Sequence, residues 1–148
     1  MGFMILPECM VQIAWLAKMN VERHMPILEQ LALASFINDG HLTRYIRKTQ
    51  TIYARQRQAL IYALTLHLGK QVAIAKESGG THILVRLSTE MSDLDVLRCA
   101  TECGVPIIST APYYMGESRK AEFIITFASI DKQTIGSSVR QWAHLLKS

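Results

Sequence analysis

Cysteine is scarce in this chain and poorly placed for its usual roles. The three present, Cys9, Cys99 and Cys103, form no C-x-x-C pair, which excludes a disulfide framework and a four-ligand zinc site and fits a reducing compartment. Also missing are a G-x-S-x-G elbow, a phosphate-cradling G-x-G-x-x-G or Walker string, and an H-x-x-x-H pair, so the common nucleophile, nucleotide and zinc-hydrolase signatures are absent. No apolar run is long enough to span a bilayer. Residues 1–19 are apolar, but Pro7 and Glu8 interrupt them, no basic leader precedes them and no small-residue cleavage site follows; they do not read as a signal peptide. The expectation is a soluble, cytoplasmic chain with no membrane partner.

Apolar residues are what the chain has in quantity. They make up 49% of 148 residues against 19% charged, enough to bury one core and too short a chain for most two-domain enzymes. The formal charge of +4 permits an acidic partner without requiring one.

Residues 2–6 form an apolar burst closed by Pro7, the pattern of a buried strand that stops where proline removes the ladder donor. A core-like strand at the outset suggests a chain whose beginning has been lost. Met10, Val11, Ala14 and Trp15 recur at helical spacing up to about Asn20, and Pro26 suits the first turn of a second helix that Asn38, Asp39 and Gly40 end. From His41 to Leu68 neither proline nor glycine intervenes. Leu42, Tyr45, Ile46, Thr49, Tyr53, Gln56, Leu60, Ala63, Leu64 and His67 then share one face of a long helix, with Gly69 after it. Its other face carries Arg44, Arg47, Lys48, Arg55 and Gln58, and no acid occurs between His41 and Lys76.

Beyond Gly69 the period shortens. Strands are expected at 72–75 and 82–87 around a Ser78-Gly79-Gly80 turn, a helix capped by Ser92 and Asp93 and ended by Gly104, and a strand at 105–109. A loop with Tyr113 and Tyr114 follows, then a strand over 122–128 and a last helix capped by Asp131 through Ile135, Val139, Trp142 and Leu146. The order α, β, β, α, β, β, α gives an α+β fold of one small, mostly antiparallel sheet covered by helices.

The candidate chemistry is thin. Cys99 and Cys103 lie four apart on one predicted helix, where His67 or His82 would complete a metal set, but as small buried hydrophobes they need no metal. His24, His41, His67, His82 and His144 fall on separate elements, and Asp93 with Asp95 suits a helix start better than an acid–base pair. The basic face of the long helix would neutralise phosphates if nucleic acid were its partner, and is otherwise a solvated or subunit-facing surface. Tyr45 and Tyr53 belong to the apolar face rather than to a base-stacking platform.

Several strings nevertheless fall in one order. Residues 2–7, GFMILP, resemble the G-Y/F-M-h-L-P strand of the MocR branch of GntR-type regulators, whose C-terminal regions are fold-type I pyridoxal-phosphate aminotransferases. Pro26, Gln30, Ala34, Phe36, Ile37, Gly40 and His41 match that family's P-x-x-x-Q-x-A-L-A-x-F-I-x-x-G-H segment. Arg44, Arg47, Tyr53, Arg57 and Leu60 are similar to its R-H-I-R-R-M-R-x-x-Y-x-x-R-R-x-A-L, and Gly79-Gly80-Thr81-His82 to its A-G-L-H turn. Glu102 to Val105, Tyr113-Tyr114 and Phe127 to Ile130 fall where the family has E-x-G-V, Y-Y and G-F-A-x-L.

The resemblance implies a C-terminal small domain over 41–148, preceded over 1–40 by a strand and two helices left from the large domain. The family's Schiff-base lysine lies ahead of the G-Y-M-h-L-P strand, so the resemblance implies a truncated portion with no cofactor of its own, where intact members bind pyridoxal phosphate, and no catalysis alone. No catalytic, cofactor-binding or metal residue is assigned, and substrate-binding residues stay unknown. The arginine with which related aminotransferases grip a substrate carboxylate falls at Ile124, and Arg119 in the preceding loop is the nearest substitute. Residues 1–40 and the long helix are expected to pair in a homo-oligomer, and no specific DNA binding is expected of this portion. Two alternatives stand beside that reading: a subunit or fragment of a genuine class I/II aminotransferase completed by a partner chain, and a standalone binding module using the basic helix 41–58.

Overall fold

A computed structural model describes residues 4–21, 27–75, 80–130 and 133–147. The chain divides into two units, Met1–Tyr45 and Ile46–Ser148, and the division falls inside the long helix α3, His41–Leu68.

The first unit holds α1, Glu8–Val21, and α2, Ile27–Asn38. Pro7 stands just outside α1, and its carbonyl accepts from the amide of Met10 at 2.9 Å. The end of α2 is tied by Ser35 Oγ donating to Asp39 Oδ2 at 2.9 Å, and Gly40 then takes φ +73°, a conformation that costs glycine nothing. Phe36 stacks on His41 with centroids 5.5 Å apart. Neither α1 nor α2 has a buried residue.

The strand expected over residues 2–6 is not formed in its described part, Met4 to Leu6. Gly2 and Phe3 lie outside the described residues, and Met4, Ile5 and Leu6 join no ladder. An apolar run becomes a strand only where a neighbour takes its backbone N–H and C=O groups, and none of the four described strands pairs with it. Pro26 also lies outside the described residues.

The second unit contains the core. Its sheet has the order β1-β2-β4-β3, from Val72–Ile74, His82–Leu87, Glu122–Thr126 and Ile107–Ser109, with every pair antiparallel. Alternation along the strands sends Ile83, Val85, Leu87, Phe123 and Ile125 into one core cluster. The C-terminal third of α3 (Leu60, Ala63, Leu64, Leu68), α4 over Asp93–Glu102 (Val96, Ala100) and α5 over Ile135–Leu145 (Ile135, Val139, Trp142, Ala143) complete it. At about 1.5–3 kcal/mol of transfer free energy for each large side chain, this cluster is where the folding energy of the described chain is concentrated.

The register leaves a second face of the sheet without that cover. Ala73, His82, Leu84, Arg86, Glu122, Ile124, Thr126 and Ile108 are its members, with Arg86 opposite Glu122 and Ile124 between Leu84 and Ile108. Several boundaries differ from expectation. The Ser78-Gly79 part of the turn and Asp131 lie outside the described residues, while Gly80 takes φ +76°. The last helix begins at Ile135 with Thr134 at its N-cap position. Of the face expected for α3, Tyr45 is 62% and Ile46 44% exposed; helical spacing marks a stripe, and it meets the core only from Tyr53, which packs edge-on against Phe127, to Leu68.

Candidate functional site

A carboxylate sits where the sequence offers no obvious reason for one. Glu122, the first residue of β4, is 3% exposed although it belongs to the open face of the sheet. Its cover is polar. Tyr114 Oη donates to Glu122 Oε1 at 2.5 Å, Arg86 Nη2 to Oε2 at 3.1 Å, and Arg119 Nη1 lies 3.7 Å from Oε2. The Thr110 hydroxyl, also buried, donates to the Glu122 carbonyl at 3.0 Å and lies 3.4 Å from Oε1. A buried charge persists only when paired and hydrogen-bonded, and here two cations and a phenol meet one anion.

The fold supplies each partner separately. Arg86 comes from β2 by the pairing that sets it opposite Glu122. Tyr114 follows a single 3-10 turn, Ala111–Tyr113, with Pro112 inside it, and the Tyr114 amide donates back to the Ala111 carbonyl. Ala121 immediately before Glu122 takes φ +52°, a left-handed conformation costing a residue with Cβ about 1 kcal/mol. Two hydrogen bonds hold it there: its amide donates to Asp93 Oδ1 at 3.0 Å and its carbonyl accepts from Leu87 at 2.9 Å.

The electrostatics follow from those contacts. The Tyr114 hydroxyl holds the Glu122 carboxyl below the ordinary carboxylate range, against burial, which pushes the other way, and Arg86 and Arg119 assist. The same hydrogen bond raises the Tyr114 phenol, with burial second. A shallow cleft of about 210 Å³, lined by Ala73, Leu84, Arg86, Arg119 and Glu122 among others, adjoins the group.

The residues singled out from sequence fare differently. Arg119 is not a free clamp for a substrate carboxylate, because its guanidinium is paired with Glu122 while 64% of the side chain stays exposed. Ile124 is half-buried in the apolar row Leu84–Ile124–Ile108. Cys99 and Cys103 pack at the margin of the core, and burial followed by Cys99 raises the Cys103 thiol. Among the described residues no three His, Cys, Asp or Glu side chains gather as a metal set, so neither His67 nor His82 joins the two cysteines. Asp93 and Asp95 serve α4: Ser92 is its N-cap, accepting from the Asp95 amide at 3.2 Å, and Asp95 pairs with Arg98 at 3.0 Å. The Glu122 cluster itself escaped sequence reasoning. An acid opening an apolar strand just after Arg119 was its one visible signal; Arg86, 36 residues away, enters only through the strand register.

Among the described residues no lysine enters the cluster. Lys18, Lys48, Lys70, Lys120 and Lys147 are exposed, and Lys147 Nζ donates to the His67 carbonyl at 2.9 Å. Lys76 and Lys132 lie outside the described residues. An imine-forming coenzyme needs an amine placed in a site with counter-charges, and the described residues do not fit pyridoxal phosphate. Nor is any described helix long and apolar enough to cross a membrane.

No protein-family model matches the chain. It is similar to the HTH-type transcriptional regulator YhdI of Bacillus subtilis, 29% identical over 156 residues that cover 100% of this chain and 32% of that protein. It is also similar to the regulatory protein MocR of Rhizobium meliloti, 22% identical over 138 residues, covering 93% and 28% of the two chains. Among solved structures, LysN, the α-aminoadipate aminotransferase of Thermus thermophilus complexed with N-(5'-phosphopyridoxyl)-L-leucine, matches with a TM-score of 0.72 at 24% identity, over 88% of this chain and 33% of that one. The chain thus spans about a third of the length of the relatives it matches. The four-stranded antiparallel sheet with its helices is the fold shared with these aminotransferases. In fold and in sequence the chain corresponds to the C-terminal, aminotransferase-like part of MocR-type regulators and fold-type I aminotransferases.

Proposed function

We propose that this chain acts as the small-domain portion of a MocR-like regulator and does not transaminate alone. The observation that supports the reading is the state of the cations on the open sheet face. Ile124 occupies the strand position that the family resemblance gives to a carboxylate-gripping arginine, and the two nearby arginines, Arg86 and Arg119, are engaged by Glu122. Among the described residues no lysine joins that cluster. A domain of this kind contributes shape and contacts to a larger assembly rather than an electron-sink reaction.

Such a chain would also associate. Helices α1 and α2 bury no residue, and Ile13, Trp15, Leu16, Leu28 and Leu31 are each more than half exposed. Apolar surface of that extent is covered in a working protein, and on this reading a second copy covers it.

The experiment is titration of the full chain with pyridoxal phosphate followed by borohydride reduction and peptide mapping. The expected result is no visible imine band and no preferentially modified lysine. A stoichiometric band with one lysine trapped would refute the reading. The second reading, an aminotransferase completed by a partner chain, draws on the 24% identity to the 2-aminoadipate transaminase of Thermus thermophilus. Transaminase activity that appears only when a chain supplying the rest of such a fold is added would favour it.

A further inference from the structure

Helix α3 presents a surface that neither the core nor the Glu122 cluster uses. Arg47, Lys48, Thr51, Arg55, Gln58 and Tyr62 stand at successive offsets of one to four residues that place them on one side of the helix, opposite Leu60, Leu64 and the core. All six are exposed, Tyr62 at 69%. The side chains of Arg47, Lys48 and Arg55 make no ion pair among the described residues. Solvated helix faces usually interleave acids with bases at i,i+4 spacing; α3 has no acid at all. At its far end the stripe meets a second element. Tyr62 lines a cleft together with Leu66, Gly136, Ser137 and Arg140, so the first turn of α5 and a further exposed cation lie beside it.

We infer that this stripe, continued by Arg140, is a contact for the phosphate backbone of duplex DNA, made without sequence specificity. The cations and Tyr62 extend over about 22 Å of helix at 1.5 Å per residue, a length that runs beside several phosphates of one strand. The α5 amides at the far end suit a phosphate oxygen. An anionic membrane is the poorer partner, because a helix that binds bilayers inserts its apolar face, and over the length where the stripe meets α5 that face of α3, Leu60, Ala63, Leu64 and Leu68, is buried in the core. A protein partner is also poorer, since protein interfaces centre on a desolvated apolar patch and the stripe from Arg47 to Gln58 is polar.

Fluorescence anisotropy with two duplexes of unrelated sequence tests the assignment, using the full chain. Both should bind alike, and log K should fall with log salt at a slope of about −3 to −4, at roughly 0.9 per phosphate for three or four contacts. The triple change Arg47→Ala, Lys48→Ala, Arg55→Ala should weaken binding by about tenfold or more and flatten that slope to near −1. Arg47→Lys with Arg55→Lys, which keeps the charge, should bind as the parent does, as should Arg98→Ala on α4. No binding at low salt, a strong preference for one duplex, or a triple variant with an unchanged slope overturns the inference. So does stripe-dependent binding to phosphatidylserine vesicles without binding to DNA.

Discussion

Replacing Glu122 by glutamine removes one negative charge from a group that is otherwise left in place, and the contacts indicate how much that is worth. A fully buried ion pair broken on one side costs about 3–5 kcal/mol because the surviving charge is stranded, whereas an exposed pair is worth about 0–1 kcal/mol. Glu122 lies between these cases. Its own side chain is 4% exposed, but Arg86 and Arg119 keep 50% and 64% of theirs in solvent, so water takes up the guanidinium groups once the carboxylate is gone. What is lost is the difference between a charge-assisted and a neutral hydrogen bond, and Glu122→Gln should destabilise the chain by about 1–2 kcal/mol at pH 7.

The pH dependence makes this prediction specific. The Tyr114 hydroxyl first, then Arg86 and Arg119, hold the Glu122 carboxyl below its ordinary value in spite of burial. A carboxyl depressed on folding adds stability that is complete above the unfolded value, about 4.3 for glutamate, and that is lost as pH falls through the lower folded value. Glutamine has no such proton. Urea unfolding of both chains, followed by far-ultraviolet circular dichroism in steps from pH 7 to pH 3, should show the parent's advantage intact down to about pH 5 and shrinking below about pH 4. Equal stability at pH 7, or a gap that stays constant through the acid range, would show that the carboxylate is not held in this way.

Other parts of the structure give sharper expectations of direction. Leu64→Ala, at a fully buried position, should cost about 2–5 kcal/mol in the same urea assay. Trp142→Phe should cost about 1 kcal/mol or less, because the indole Nε1 is buried with no partner among the described residues and removing an unsatisfied donor offsets part of the lost packing. Asp93→Ala takes away the acceptor that holds the Ala121 amide and should lower stability by about 1 kcal/mol, with Asp93→Asn close to the parent. Cys9 is exposed, whereas Cys103 is half-buried with its thiol pushed up by burial and by Cys99. Iodoacetamide at pH 7 should therefore modify Cys9 well before Cys103, as peptide mapping would report. Multi-angle light scattering at micromolar concentration should find an oligomer that Trp15→Asp with Leu31→Asp dissociates; a monomeric parent would remove the proposed role of α1 and α2.

The parts of the fold that follow from local chemistry were legible in the sequence. Proline-free and glycine-free spacing marked α3, Gly40, Gly69 and Gly104 marked the ends of helices and do take positive φ, and Ser92 marked the start of α4. Two-residue alternation from His82 to Leu87 marked β2 and its buried side. What failed depended on a partner that no local pattern names. Met4 to Leu6 have a strand's composition, but a strand exists only beside another, and Tyr45 has the spacing of a core residue in a turn of α3 that the core does not reach.

The same distinction explains the candidate site. Tyr114, Arg119 and Glu122 lie close enough in sequence to be suspected together, yet nothing local separates a loop arginine free to grip a ligand from one committed to its own chain. That depends on whether Glu122 faces outward or is covered, and the cover needs Arg86 delivered by the β2–β4 register and Thr110 by the approach of β3. A shift of that register by one residue would send Glu122 toward the core and Phe123 out of it. The burial of Phe123, Ile125, Ile83 and Val85 makes such a shift costly. The apolar alternation that builds the core is therefore also what fixes the charge state of the polar face, and a substitution there, such as Phe123→Ala, should disturb the Glu122 carboxyl without touching any of its hydrogen-bond partners.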